Sequence, residues 1–446
     1  MAGDGRRIGR RTFLTASGGA VAAGFALRAS AAPRAQVQGA PRAQPRGPAA
    51  NRVRLAVIGF GARGTALARS LLGVQGAEVV GVADLYEGRL HRARELLGES
   101  LPTTRDWRTL LDRADLDAVI VATPDHWHAR MTEQALSAGK DVYCECPVVR
   151  DAAEGKRLLA AAVERKRIVQ GGGAWISSPV FAAAREMVTT GRLGRVTLVR
   201  AAWDSASSIA AWQAPFPPDA SPETIDFAAF EGRTPARPFD PYRFFRWRCY
   251  REYGSGLAGA RFAPQLTAIQ WLLGEGAPSS VTATGALLRW KDGREVPDTL
   301  NALLSYPKGT AVTLSASLNG APAQSLHLIG TQATIAIDDR GLTLQGEGQT
   351  EPYADAGESW PKEYRDWFYM IHGMTQQGQV RGAPAPDRVL ERFELPADAS
   401  LPPTHLTEFV ECVRLRRQPK ESLELAVQAA LAAQSADRAA AKTEAG

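Results

Sequence analysis

Gly59-Phe-Gly-Ala-Arg-Gly64 places three glycines in the spacing GxGxxG, and a carboxylate, Asp84, stands 20 positions after the last of them. Such spacing suits the holding of a dinucleotide. Gly59 permits a tight turn, Gly61 lets the backbone approach a pyrophosphate, and Gly64 lets a helix pack closely on a strand. Phe60, Ala62 and Arg63 fill the loop, and the first N–H groups of the following helix would face the phosphates. Asp84 is expected to accept the ribose hydroxyls and to repel a 2′-phosphate, which favours NAD; Arg89 keeps NADP open.

The elements around these residues read strand, glycine loop, helix, strand. Arg54-Leu-Ala-Val-Ile-Gly is a continuous apolar run of the kind found in a buried parallel strand, Thr65 to Leu72 has helical spacing, and Glu78 to Ala83 is a second strand. Alternation continues through Leu116–Ala122, Trp127–Ala138, Asp141–Cys144, Ala153–Lys166 and Ile168–Gln170. It predicts a doubly wound parallel sheet, with ligands at the carboxyl ends of its strands. Thr123-Pro-Asp-His-Trp-His128 and Glu145-Cys-Pro147 fall at two such ends. His126 and His128 lack a third ligand nearby, so no metal site is assigned.

The chain has 446 residues, enough for two domains. Its formal charge of +6 is concentrated at the start: residues 1–50 hold eight arginines and one aspartate, leaving 45 of the 53 basic and 46 of the 47 acidic residues beyond. The remainder is near neutral and carries no nucleic-acid footprint. Gly9-Arg-Arg-Thr-Phe-Leu, the apolar run Ala16–Leu27 and Ala29-Ser-Ala31 resemble a twin-arginine export signal over 1–31. A tether rich in Pro, Ala, Arg and Gln follows over 32–51. The expected location is periplasmic or secreted, with no membrane span after signal cleavage. Cys144, Cys146, Cys249 and Cys412 show no disulfide or zinc pattern, although one bridge stays open in an oxidising compartment.

From residue 52 onward the chain resembles the Gfo/Idh/MocA oxidoreductases. The resemblance rests on VIGFGARG, DLDAVIVATPDHWHARMTEQALSAGKDVYCECP, RLGRVTLVRAAW, RFFRWRCYREYGSG, VPDTLNALLSYPKG and LTEFVECVRLRRQP. It implies a Rossmann domain over 52–171 and, over 172–446, an α/β domain with an open, mostly antiparallel sheet, used in relatives for homo-oligomer contacts. It also implies hydride transfer between nicotinamide and a sugar or polyol. Gly59, Phe60, Gly61, Ala62, Arg63, Gly64 and Asp84 would then hold the pyrophosphate and adenosine side, and Thr123, Pro124, Asp125, His128 and Glu145 the nicotinamide side.

Against the family pattern the proton-handling positions are altered. Cys146 stands where relatives have a lysine, Ala260 at an aspartate, Pro264 at a histidine and Thr267 at a further aspartate, and Gly171-Gly-Gly-Ala-Trp175 replaces a glutamine–arginine pair. Cys146 as a thiolate, Tyr250, Tyr253 and His405 are the candidate replacements. Arg246, Trp247, Arg248 and Tyr250 are candidates for holding a sugar-like molecule or glycan. Two readings stay open: an oxidoreductase with an unconventional proton donor, or an inactive relative that keeps the dinucleotide as a structural ligand and binds a glycan or a partner subunit.

The segment Thr343–Arg392 reads as a long excursion rich in glycine, proline and aromatics. Helices are expected over His405–Arg417 and Glu424–Ala441, the second with an alanine face suited to close packing.

Overall fold

A computed structural model describes residues 52–205, 211–213, 215–233, 237–338, 340–346, 359–373, 389–394 and 401–444. The signal and tether expected over 1–51 lie outside them. The first apolar run forms β1 (Val53–Ile58), with four consecutive buried residues at its end, as a strand covered on both faces requires. Around it lie α1 (Ala62–Leu71), β2 (Ala77–Ala83), α2 (Glu87–Leu97), β3 (Thr103–Thr104), a short α3 (Arg108–Leu111), β4 (Ala118–Val121), α4 (Asp125–Ser137), β5 (Asp141–Cys144), α5 (Ala152–Arg165) and β6 (Val169–Gly171). Every strand pairing is parallel, and the order is β3-β2-β1-β4-β5-β6. Strand order reverses between β1 and β4, so the loops after them, at Gly59 and Thr123, flank the switch-point crevice.

The second domain supplies α6 (Pro179–Thr189), β7 (Val196–Asp204), α7 (Phe227–Glu231), α8 (Pro241–Phe245), a π-turn at Ala258–Phe262 running into α9 (Ala263–Leu273), and strands β8 (Ser280–Ala286), β9 (Thr299–Ser305), β10 (Ala311–Ser317), β11 (Ala323–Gly330), β12 (Ala333–Ile337) and β13 (Gly341–Gly346). Then come α10 (Lys362–Ile371), β14 (Val389–Glu394), α11 (Leu401–Leu415) and α12 (Leu423–Glu444). The eight strands run β14-β13-β12-β11-β7-β10-β9-β8, antiparallel except for β7–β10. Residues on β9 alternate: Leu300, Ala302 and Leu304 face the core, while Asn301 and Leu303 lie on the open face. The excursion expected over 343–392 is corrected in part. Its two ends pair as β13 and β14 and extend the sheet edge, because Leu342 and Leu344 find buried places there.

The last two helices return to cover both domains. Leu406, Phe409, Val410 and Val413 of α11 complete one face of the Rossmann core, while Leu423, Ala426 and Val427 at the start of α12 complete the other. Further along α12, Ala429, Ala433, Ala436 and Ala440 pack into the second core, and small side chains allow close approach: a Cβ on Gly285 would sit 3.2 Å from that of Ala440. The nucleotide-binding sheet therefore depends on residues more than 230 positions beyond its last strand. Phe409→Ala is expected to remove about 3–5 kcal/mol of stability in urea unfolding followed by the Rossmann signal; a loss under about 1 kcal/mol would contradict this dependence.

Candidate active site

The glycine loop is built by two contacts that admit no side chain. Gly59 has φ +90°, and a Cβ there would lie 2.7 Å from the Ala122 carbonyl oxygen; on Gly64 it would lie 1.9 Å from that of Gly59. Gly61 differs, since a Cβ would meet nothing nearer than the Arg89 guanidinium at 3.7 Å. No side chain caps α1, so its first N–H groups at Ala62 and Arg63 are left facing the crevice. An uncapped ten-residue helix behind an open glycine surface fits a dinucleotide pyrophosphate.

Asp84 already has partners within the protein. Its Oδ2 accepts the Phe60 N–H at 2.6 Å, its Oδ1 accepts the Tyr86 N–H at 3.0 Å, and Arg89 pairs with it at 3.4 Å. With both oxygens engaged and its side chain almost fully buried, this carboxylate ties the loop to the end of β2. Arg89 is held between Phe244 and Phe245, at 5.3 and 5.4 Å from their ring centres.

Across the crevice the ends of β4 and β5 are strapped together. His128 bonds the Pro147 carbonyl through Nδ1 and the Thr123 carbonyl through Nε2, both at 2.8 Å. Pro124 sets the start of α4, and Asp125 accepts the Ser255 N–H at 2.8 Å, which docks the second domain. Arg63 reaches from α1 to Glu145 at 2.9 Å, and the Tyr143 hydroxyl donates to the same oxygen at 3.2 Å. Burial opposes the Arg63 charge, but Glu145 more than offsets this and the guanidinium is held firmly protonated. The Thr123 hydroxyl is buried without a partner among the described residues.

The candidate proton donors are differently placed. Burial first, and then the charges of Glu421 and Glu145, push the Cys146 thiol well above its usual range, so the thiolate expectation is corrected. Tyr253 donates to the buried Glu231, and burial with that bond raises its phenol to about 12. Tyr250 is raised by burial and then by Asp240, and its ring lies under Arg243. His405 is enclosed, with Nε2 on the Gly171 carbonyl at 2.8 Å, so it does not reach the cleft. Ala260 lies on the π-turn, which packs on Pro147: a Cβ on Gly259 would be 3.2 Å from that ring. Pro264 sits in the first turn of α9, and Thr267, one turn on, donates to the Ala263 carbonyl.

Of the sugar-binding candidates, Arg246 turns to Gln213 and the Tyr242 ring, and Tyr250 joins the aromatic cluster with Tyr253. Trp247 carries the Arg248 guanidinium 4.1 Å above its ring, and the charges of Asp125 and Glu145 act on Arg248. His126 bonds the Phe230 carbonyl at 2.9 Å. No group of three or more metal-ligating side chains occurs among the described residues, and all four cysteines are unbridged.

One acid escaped the sequence reading. Glu421 is fully buried, accepts the Gly173 N–H at 2.7 Å and lies 3.5 Å from His405 Nε2. Ser177 bridges His405 Nδ1 at 2.8 Å and Glu408 at 3.0 Å. The triple glycine exists for these acids: a Cβ at Gly171 or Gly173 would fall 2.5 or 2.7 Å from Glu421 Oε1, and one at Gly172 would fall 2.9 Å from the Glu145 Cα. The glycine run was the only signal, since 248 positions separate Gly173 from its partner.

This crevice at a parallel-sheet switch point, with an uncapped glycine-loop helix, defines a dinucleotide-binding Rossmann fold. Residues 53–172 match the model of the oxidoreductase family with an NAD-binding Rossmann fold, and 228–336 match the GFO/IDH/MocA C-terminal domain. The chain belongs to the Gfo/Idh/MocA family, and its first domain is an NAD(H)-binding domain. It is 33% identical over 159 residues to inositol 2-dehydrogenase 1 of Saccharopolyspora erythraea, spanning 35% of this chain and about half, 47%, of that relative. To inositol 2-dehydrogenase of Rhizobium meliloti it is 26% identical over 67% of this chain and 81% of the relative. Its fold is like that of levoglucosan dehydrogenase in complex with NADH and L-sorbose, with TM-score 0.64 and 18% identity over 88% of this chain and 97% of that one. Aldose-aldose oxidoreductase from Caulobacter crescentus, complexed with glycerol, gives 0.62 and 19% over 88% and 98%.

Two predictions follow from the geometry. Gly61→Ala should fold like wild type yet bind NADH at least roughly 10-fold more weakly, about 1.4 kcal/mol, by fluorescence titration, whereas Gly64→Ala should lose about 3 kcal/mol of stability; equal behaviour of the two would refute the assigned roles. Burial pushes Glu421 up to about 8 from its ordinary 4.5, so the folded state keeps a proton that the unfolded chain releases between those values. Its contribution is full below 4.5 and declines as pH rises towards 8. The melting temperature of wild type relative to Glu421→Gln should therefore fall from about pH 5 to about pH 8; a difference growing in the opposite direction would contradict the burial.

Proposed function

We propose that this chain is an exported NAD(H)-binding member of the family whose cleft takes a carbohydrate or polyol, and that the family's customary acid–base set is absent from it. The observation that carries the second part is the content of the cleft. Cys146 keeps its proton, and Ala260 and Pro264 have none to exchange. Nicotinamide, when bound, supplies the hydride acceptor or donor. The chain's own residues would then do the rest: the α1 N-terminus and Gly61 hold the phosphates, Arg63 and Glu145 fix the crevice wall, and His128 keeps the β4 and β5 loops in register.

What this arrangement lacks is a group that takes the hydroxyl proton as hydride leaves. A positioned acid–base contributes about 10²- to 10⁴-fold in rate. Exchange with neutral aldoses or inositol is therefore expected to be close to undetectable, which supports the reading of a binding protein with a resident dinucleotide. An enzyme with an unconventional donor is the competing reading, favoured by the preserved nucleotide loop. Export through the twin-arginine route, after folding around the nucleotide, is consistent with the sequence of residues 1–31. A second copy of the chain is the proposed partner of the open sheet face, where Arg200, Thr282, Thr284, Asn301, Thr313 and Ser315 line a shallow 630 Å³ groove.

The test is restoration. Wild type with NAD should show no turnover of glucose or myo-inositol, and Cys146→Lys, Ala260→Asp and Pro264→His in combination should create it. Turnover by wild type would overturn the proposal.

A further inference from the structure

Arg248 lies within electrostatic reach of Arg63 on one side and of Arg261 on the other. The acids that Arg248 senses, Asp125 and Glu145, are already committed, the first to the Ser255 N–H at 2.8 Å and the second to Arg63 at 2.9 Å. Neither Arg248 nor Arg261 forms an ion pair among the described residues. Among the described residues Arg261 donates only a long bond, from Nη2 to Ser205 Oγ at 3.5 Å, and its buried Nε has no acceptor there. Asp204, the neighbour of Ser205 on β7, is pushed up by burial and forms no ion pair with it.

Each guanidinium carbon lies over an indole ring. Arg261 lies 4.3 Å above the Trp203 ring, which is itself 5.2 Å from Trp175, and Arg248 lies 4.1 Å above Trp247. A ring in that place covers the face of a guanidinium and leaves its N–H edge free, the edge that grips a carboxylate or phosphate in a bidentate fork. Burial lowers the pKa of each group; Asp125 and Glu145 offset part of this at Arg248, whereas Arg248 lowers that of Arg261 further, to about 10, and Arg261 forms no ion pair among the described residues. Holding that buried charge is costly unless an anion completes the site. Arg261 also occupies the π-turn beside Ala260, a local distortion of the kind found at functional sites.

We infer that the ligand of this cleft is an anionic carbohydrate, a sugar derivative whose carboxylate or phosphate is held by the free edges of Arg261 and Arg248 beside the Trp203 and Trp247 rings. The inference rests on the carbohydrate reading above and narrows it to a charge class. It is compatible with the altered acid–base positions, since recognition of an anion needs fixed positive charge, not a titrating group.

The experiment is calorimetric titration of the mature protein, with and without NADH, using glucuronate, glucose 6-phosphate, glucose and myo-inositol. One or both anionic sugars should bind roughly 10- to 100-fold more tightly than the neutral pair, and the better of the two identifies the anionic group. Arg261→Met and Arg248→Met should each abolish this preference, Arg261→Lys should retain part of it, and Arg261→Met should leave NADH affinity unchanged. Equal binding of neutral and anionic sugars would overturn the inference, as would a preference that survives both methionine variants. A loss of NADH affinity in Arg261→Met as large as the loss for the sugar acid would instead assign that guanidinium to the cofactor phosphates. If NADH fails to bind wild type, the dinucleotide reading fails, and the titrations without NADH still decide the charge preference.

Discussion

The pair between Arg63 and Glu145 joins the two sides of the crevice. Arg63 begins the helix that follows the glycine loop, Glu145 ends β5, and their 2.9 Å contact sits over a switch point that strand order alone would leave open. Tyr143 anchors the carboxylate from below and itself rests on Phe409 of α11. Breaking such a half-buried pair by removing one partner leaves a charge uncompensated, at a cost of about 3–5 kcal/mol when burial is complete and less here. The same pair fixes the electrostatics of the cleft. Glu145 pairs with Arg63, and Arg248 feels its charge without forming an ion pair with it.

A second constraint runs beneath the first. Gly171, Gly172 and Gly173 yield the space that Glu421 and Glu145 fill, and Glu421 reaches them from the turn between the two last helices. The chain thus closes on itself at its functional centre. Helices α11 and α12 act as a common support, contributing apolar residues to both faces of the Rossmann sheet and to the second core.

How much of this the sequence disclosed depended on the range of the interactions. The glycine loop, the alternation of strand and helix up to β6 and the alanine face of α12 are local patterns with a fixed period, and each forms where its spacing placed it. β14 was hidden because its residues are exposed on an edge and carry no alternation of burial. Asp84 follows β2 as expected, but its bonds to the Phe60 and Tyr86 N–H groups were not legible, since spacing specifies where a side chain starts and not which donors it meets. Glu421 and Arg261 were illegible for the same reason. Their partners, Gly173 and Trp203, are remote in sequence and met only through the tertiary fold.

The proposed function pairs an NAD(H)-binding domain with a cleft that lacks the customary proton-transfer residues. The most direct measurement is single-turnover absorbance of the nicotinamide in the NADH-loaded wild-type protein after mixing with a keto-sugar, read against NADH binding in the same preparation. The account predicts saturable NADH binding and a nicotinamide signal that stays reduced. Rapid oxidation of the bound cofactor would contradict it, and would place a working proton donor in the cleft.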